Sequence, residues 1–131
     1  MIIDTSALVA VLKAEAGWER IVATAEAAPS LLISAATYVE FGIVVDRRGG
    51  PAGTRRADNL LRSWQVEVTD VTVRQANIAR AAYRDFGKGT GHPAQLNFGD
   101  CFAYALAVER DEPLLFVGDD FIHTDVRTVP A

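Results

Sequence analysis

Only one cysteine, Cys101, occurs among the 131 residues. That excludes an intramolecular disulfide and fits a reducing compartment such as the cytoplasm. Lysine is nearly as scarce, with Lys13 and Lys88 alone, and the formal net charge is -4. A protein that grips a phosphate backbone over its whole surface needs the opposite sign, so any contact with nucleic acid must be local. The apolar runs, such as Ser6 to Leu12 and Cys101 to Val108, fall far short of the roughly 20 residues a bilayer crossing needs. The opening Met1-Ile2-Ile3-Asp4 lacks the basic, apolar and small-residue series of a secretory signal. A soluble, cytoplasmic chain with no membrane association is therefore expected. With 50% hydrophobic residues it can bury a core, and its length suits one domain over 1-131.

What is present is an alternation of short apolar runs and amphipathic stretches. Met1 to Asp4 reads as a buried strand whose exit, Asp4-Thr5-Ser6, caps a helix. Helical spacing continues through Leu8, Val11 and Leu12, is interrupted at Gly17 and resumes from Trp18 until Pro29, giving two helices or one broken helix. Leu31 to Ser34 repeats the opening theme and leads into a helix from about Ala36 to Arg48. Gly49 to Gly53 predicts a turn, after which Thr54 can cap a helix to about Trp64. Gln65 to Thr69 alternates as a third, outer strand, and Thr72 begins a helix ending at Gly87. Gly87 to Asn97 is the longest irregular segment; Phe98 to Arg110 reads as a helix, Leu114 to Val117 as a buried strand and Gly118 to Phe121 as a turn. The order implies an α/β fold, a three-layer α/β/α sandwich around a mainly parallel sheet of four or five short strands.

Four acids sit where acids are costly. Asp4 is the only charged residue among the first twelve, Glu40 lies inside the apolar segment Tyr38 to Val45, and Asp100 is alone between Gln95 and Val108. Asp119 follows an apolar strand closely, as Asp4 does. In open parallel sheets the functional crevice lies outside the carboxyl ends of the strands. If Glu40 and Asp100, each early in a helix, face that crevice, four carboxylates converge with no neighbouring lysine or histidine to neutralise them. Such a group needs a cation, and oxygen-only ligands select magnesium or manganese. Each acid also has a plainer reading. Asp4 can cap a helix, Glu40 can pair with Arg47 or Arg48, Asp100 can favour a helix dipole, and Asp119 and Asp120 can be turn residues.

Taken together these segments resemble the PIN-domain ribonucleases, and within them the VapC toxins of type II toxin–antitoxin systems. The resemblance spans essentially the whole chain. It rests on Met1-Ile2-Ile3-Asp4-Thr5-Ser6-Ala7, on Glu40, on Leu96-Asn97-Phe98-Gly99-Asp100-Cys101-Phe102-Ala103-Tyr104-Ala105, and on Leu115-Phe116-Val117-Gly118-Asp119-Asp120-Phe121 with Thr124-Asp125 after it. It implies a metal-dependent endoribonuclease toxin that cuts structured RNA, often tRNA or ribosomal RNA, and so inhibits translation and growth. It also implies silencing by a cognate VapB antitoxin. By position, Asp4 and Asp100 would be the principal Mg2+ or Mn2+ ligands and Glu40 would complete the triad, directly or through water. Asp119 or Asp120 would supply the fourth acid, with Asp119 the choice, and Thr5 and Ser6 would orient a carboxylate or a water.

The remaining chemistry-bearing residues have structural readings. His92 and His123 lack metal spacing, Cys101 suits buried packing, and Arg47-Arg48 and Arg55-Arg56 suit solvated ion pairs as well as phosphate contacts. The faces around Trp18, Ile21, Tyr38 and Phe41 are core first. What remains exposed there would serve a homodimer and an antitoxin helix, as the resemblance implies. A phospho-acceptor receiver is disfavoured by the missing lysine near the last strands. A haloacid-dehalogenase-like phosphatase is disfavoured by Asp4-Thr5-Ser6 in place of Asp-x-Asp. The non-enzymatic alternative is a catalytically silent RNA- or protein-binding PIN module.

Overall fold

Alternation within three very short strands decides the layering. In β1 (Ile2–Ile3), β2 (Leu32–Ser34) and β4 (Leu114–Leu115), Ile2, Leu32 and Leu114 face one side of the sheet. Ile3, Ile33 and Leu115 face the other, the period-2 geometry of extended backbone. The computed structural model describes residues 1–129. Across it, α1 (Thr5–Leu12), α2 (Trp18–Ala27) and α3 (Ala35–Ser63) cover the Ile3 side. On the Ile2 side lie α4 (Val73–Phe86) and α5 (Asp100–Arg110). The expected three-layer sandwich is therefore present, with strands buried on both faces, as parallel sheets require.

The sheet has five strands in the order β3-β2-β1-β4-β5, where β3 is Glu67–Thr69 and β5 is Thr128–Val129. Every pairing is parallel, with Ile2 opposite both Leu32 and Leu114. The expected outer strand is β3, at one edge. The fifth strand is β5, which the sequence did not single out because two residues at a sheet edge carry no readable periodicity. Among the described residues no helix is long and apolar enough to cross a membrane.

Most element starts follow the capping chemistry. Asp4 caps α1, Ser34 caps α3, and Thr72 caps α4 by accepting from the Gln75 N–H at 3.0 Å. The expected turn at Gly49 to Gly53 is instead a kink within α3. Gly50 leaves the helical region at φ 57, ψ -158, and Pro51 restarts the helix, a position where its missing N–H is harmless. Thr54 does not cap the restarted helix; its hydroxyl lies 2.6 Å from Asp46 Oδ1 and 3.1 Å from the Gly50 carbonyl. Since that backbone conformation is essentially reserved for glycine, Gly50→Ala should destabilise the protein by about 1–3 kcal/mol. A lowered urea midpoint checks this, and an unchanged one contradicts it. The long loop after α4 is tied down: Gly87 pairs with Leu96, and the Ala94 N–H donates to His92 Nδ1 at 3.1 Å.

Candidate active site

From β1 the chain moves to β2 and β3 on one side, then returns to β4 on the other. The carboxyl ends of β1 and β4 thus flank the point where the winding reverses, the place where an open parallel sheet leaves a crevice. Asp4 leaves β1 there, the Gly118-Asp119-Asp120 turn follows β4, and α5 begins with Asp100.

Each acid is held by a short-range partner. Asp4 is 4% exposed, and its Oδ2 accepts from the Ser6 N–H at 3.0 Å and the Ser6 hydroxyl at 2.7 Å. The same hydroxyl accepts from the Val117 N–H at 3.0 Å, which ties the segment after β4 to the exit of β1. Glu40, in the second turn of α3, accepts through Oε1 from the Thr5 hydroxyl at 2.9 Å. Asp100 is 9% exposed. Its Oδ2 accepts from the Asn97 N–H at 2.9 Å, while Asn97 Oδ1 accepts from the Asp100 N–H at 2.9 Å. This reciprocal pair is a capping box with asparagine and aspartate in its two places.

The chain matches the PIN domain family model over residues 1–127. It is 50% identical over 130 residues to Ribonuclease VapC28 of Mycobacterium tuberculosis, covering 97% of this chain and 96% of that one. It is 47% identical over 127 residues to Ribonuclease VapC42 of the same species, covering 97% of each. The chain belongs to the PIN domain family, in its VapC ribonuclease branch. Solved structures share the fold at low identity. M. tuberculosis VapC20, described as a Sarcin-Ricin loop cleaving toxin, superimposes with a TM-score of 0.72 at 19% identity and covers 95% of each chain. VapBC2 from Rickettsia felis, bound to a promoter DNA fragment, gives 0.75 at 13% identity and covers 98% of this chain and 96% of that one.

Within the PIN domain the acids feel one another. Burial is the largest influence on Asp4 and pushes its pKa upward; the Ser6 hydrogen bonds oppose this and the Glu40 charge adds to it. Asp100 is pushed up to about 7, first by burial, against the Asn97 N–H, with the charges of Asp4, Asp120 and Glu40 raising it further. Mutual repulsion of this kind records proximity among carboxylates that no basic side chain compensates. None of the ion pairs among the described residues involves them, so Glu40 is paired with Thr5 rather than with Arg47 or Arg48. The plainer readings are also true: Asp4 caps α1 and Asp100 stands in the first turn of α5, and each carboxylate uses Oδ2 alone for its hydrogen bonds.

The cluster is open. Among the described residues no three of Asp, Glu, His and Cys stand close enough to grip one ion directly. Asp119 and Asp120 are both exposed, and Asp120 is among the charges that Asp100 feels. The turn that carries them needs Gly118 at φ 108 and is anchored by Phe121, whose ring meets Phe116 edge-on at 5.1 Å. The Tyr104 hydroxyl, reaching Asp125, fixes the chain beyond. Cys101 is buried and its thiol is pushed up to about 11 by burial and the Asp100 charge, which leaves it a packing residue. His92 meets Phe86 edge-on and serves the loop. Of the apolar residues expected to be core first, Ile21 and Phe41 are interior, each 1% exposed, while Tyr38 is 40% exposed and leaves surface. Asn97 and Gly99 were not anticipated as site residues. The asparagine was legible as the first position of a capping box; the glycine was not.

Proposed function

We propose that this PIN domain is a Mg2+-dependent endoribonuclease, with Mn2+ as an effective substitute, acting as the toxin of a toxin–antitoxin pair. The observation that carries the reading is the gathering of Asp4, Glu40 and Asp100 where the sheet reverses its winding: Glu40 meets Thr5 and Gly99, the chain neighbours of the other two acids, and none of the three is in an ion pair among the described residues. The donor set is all oxygen, as Mg2+ and Mn2+ prefer. The openness of the cluster fits Mg2+ in particular, which keeps several waters and takes one or two carboxylates rather than a closed cage. Asp4 and Asp100 would be the direct ligands, through the oxygens that their hydrogen bonds leave free. Glu40 would complete the set through a bound water. The fourth acid would come from the Asp119-Asp120 turn after β4, and Asp120 is among the charges that Asp100 feels. A divalent cation bound there would acidify an attacking water and offset charge on the scissile phosphate of an RNA strand; hydrolysis of its P–O3′ bond would leave a 5′-phosphate and a 3′-hydroxyl.

The chain's own residues supply orientation. Ser6 holds Asp4 and the segment after β4 together, Thr5 holds Glu40, and Asn97 holds Asp100. Ser6→Ala removes both contacts of its hydroxyl, so we expect a stability loss of about 1–2 kcal/mol. Mn2+ affinity should fall about tenfold or more, as when an outer partner of a metal ligand is lost. Denaturant titration and calorimetry check the two arms, and Mn2+ binding unchanged from wild type contradicts the assigned role.

Tyr38, Val39 and Ile43 form an exposed apolar face on α3. We assign it to protein partners, a cognate VapB-like antitoxin and a second copy of the chain; a Klebsiella pneumoniae toxin–antitoxin complex shares the fold. The test of the activity is brief expression followed by sequencing of RNA 5′ ends, with Asp4→Asn as the control. Discrete new ends in wild type that the variant lacks are expected. Matching end profiles in both overturn the ribonuclease reading for this chain.

A further inference from the structure

Gly99 immediately precedes Asp100, and its backbone, at φ -64 and ψ -39, is ordinary helical backbone that any residue adopts. Its lack of a side chain is therefore not explained by conformation. At such helical dihedrals an alanine would lose less entropy on ordering than glycine does. The explanation is steric. A methyl group built on Gly99 would overlap Glu40 Oε2 and lie 2.7 Å from Glu40 Cδ and 3.1 Å from Oε1, and those are its three nearest neighbours.

The geometry points to a positioning role for Gly99: the missing side chain forms a slot that seats the Glu40 carboxylate between the Thr5 hydroxyl and the start of α5, beside Asp100. This deepens the proposed metal site and rests on that reading for its purpose, though not for its geometry. Two contacts define the seat from opposite sides. Thr5 Oγ1 donates to Oε1 at 2.9 Å, and the bare Cα of Gly99 lies against Oε2. Glu40 stands on α3 and reaches the slot with a two-methylene arm. An aspartate at position 40 would stop about 1.5 Å short of it, one carbon–carbon bond. The slot thus matches a glutamate at 40 to a glycine at 99, two residues far apart in sequence.

A double-mutant cycle decides the matter, because residues in direct contact couple and independent ones do not. Mn2+ binding is measured by calorimetry for wild type, Gly99→Ala, Glu40→Asp and the double variant, with thermal melts of the metal-free proteins and a metal-free crystal structure of Gly99→Ala. Gly99→Ala should weaken Mn2+ binding about tenfold or more, the size seen when a ligand loses its outer support. It should melt at the same temperature as wild type or higher. In the Glu40→Asp background the same substitution should change affinity by less than about twofold, because the shorter arm leaves room for the methyl. The crystal should show Glu40 Oε1 out of hydrogen-bond range of Thr5. An equal loss of affinity in both backgrounds, wild-type affinity in Gly99→Ala, or a Glu40 carboxylate unmoved in the crystal overturns the slot. Should wild type itself fail to bind Mn2+, the metal reading falls, while the crystal still decides the slot.

Discussion

Asp100→Asn is expected to yield a protein that is more stable than wild type at pH 7.5 and at least about a hundredfold less active. Both halves have one cause. The Asp100 carboxyl is pushed up to about 7 by burial and by the charges of Asp4, Asp120 and Glu40. In the unfolded chain it returns to the ordinary value of 3.8. Between those two values the folded state holds a proton that the unfolded state has released, so stability falls as pH rises from about 4 to about 7 and is level above. Asparagine carries no charge at any pH and keeps the capping oxygen that accepts from Asn97. The melting temperature of Asp100→Asn minus that of wild type, measured without metal, should therefore be near zero at pH 4 and positive at pH 7.5. Discounted for solvent screening, the gain is on the order of 1–2 kcal/mol. A variant less stable than wild type at pH 7.5 would show that the Asp100 charge is already compensated within the fold, and the site would then have no need of a cation.

The second large effect is the response to divalent cation. If the carboxylates hold Mg2+ or Mn2+, a concentration a hundredfold above the dissociation constant adds about 2.7 kcal/mol to stability. For a domain of this size that amounts to roughly 10 °C in melting temperature. The gain should appear at pH 7.5, fade as the pH drops below about 7 where protons compete for Asp100, and be absent in Asp100→Asn. Chelation should remove both the gain and the RNA cleavage, and added Mn2+ should restore both. Activity retained in excess chelator, with no thermal shift from either ion, would contradict the metal dependence.

Much of this was legible before any coordinate. Asp4, Glu40 and Asp100 stood out because an acid inside an apolar run needs a partner, and the buried, parallel character of the sheet followed from Ile2-Ile3, Leu32-Ile33 and Leu114-Leu115. Thr72 announced its helix. The features that escaped are those created by contact between distant segments. The Gly99 slot exists only because α3 brings Glu40 against the start of α5. In sequence the glycine looks like a breaker, although its backbone is helical. The tie from Val117 to Ser6 joins residues 111 positions apart. Gly49 to Gly53 was read as a turn because glycine and proline break helices. Only Gly50 departs from helical geometry, and Pro51 sits where a helix tolerates it.

The account stands most directly on where a cation sits. Crystals soaked in Mn2+ and recorded at the manganese absorption edge should show one strong anomalous peak at the carboxyl ends of β1 and β4. It should lie about 2.2 Å from an oxygen of Asp4 and an oxygen of Asp100, with waters filling the remaining positions. A fully loaded crystal whose manganese lies elsewhere, with those two side chains touching no ion, would contradict it.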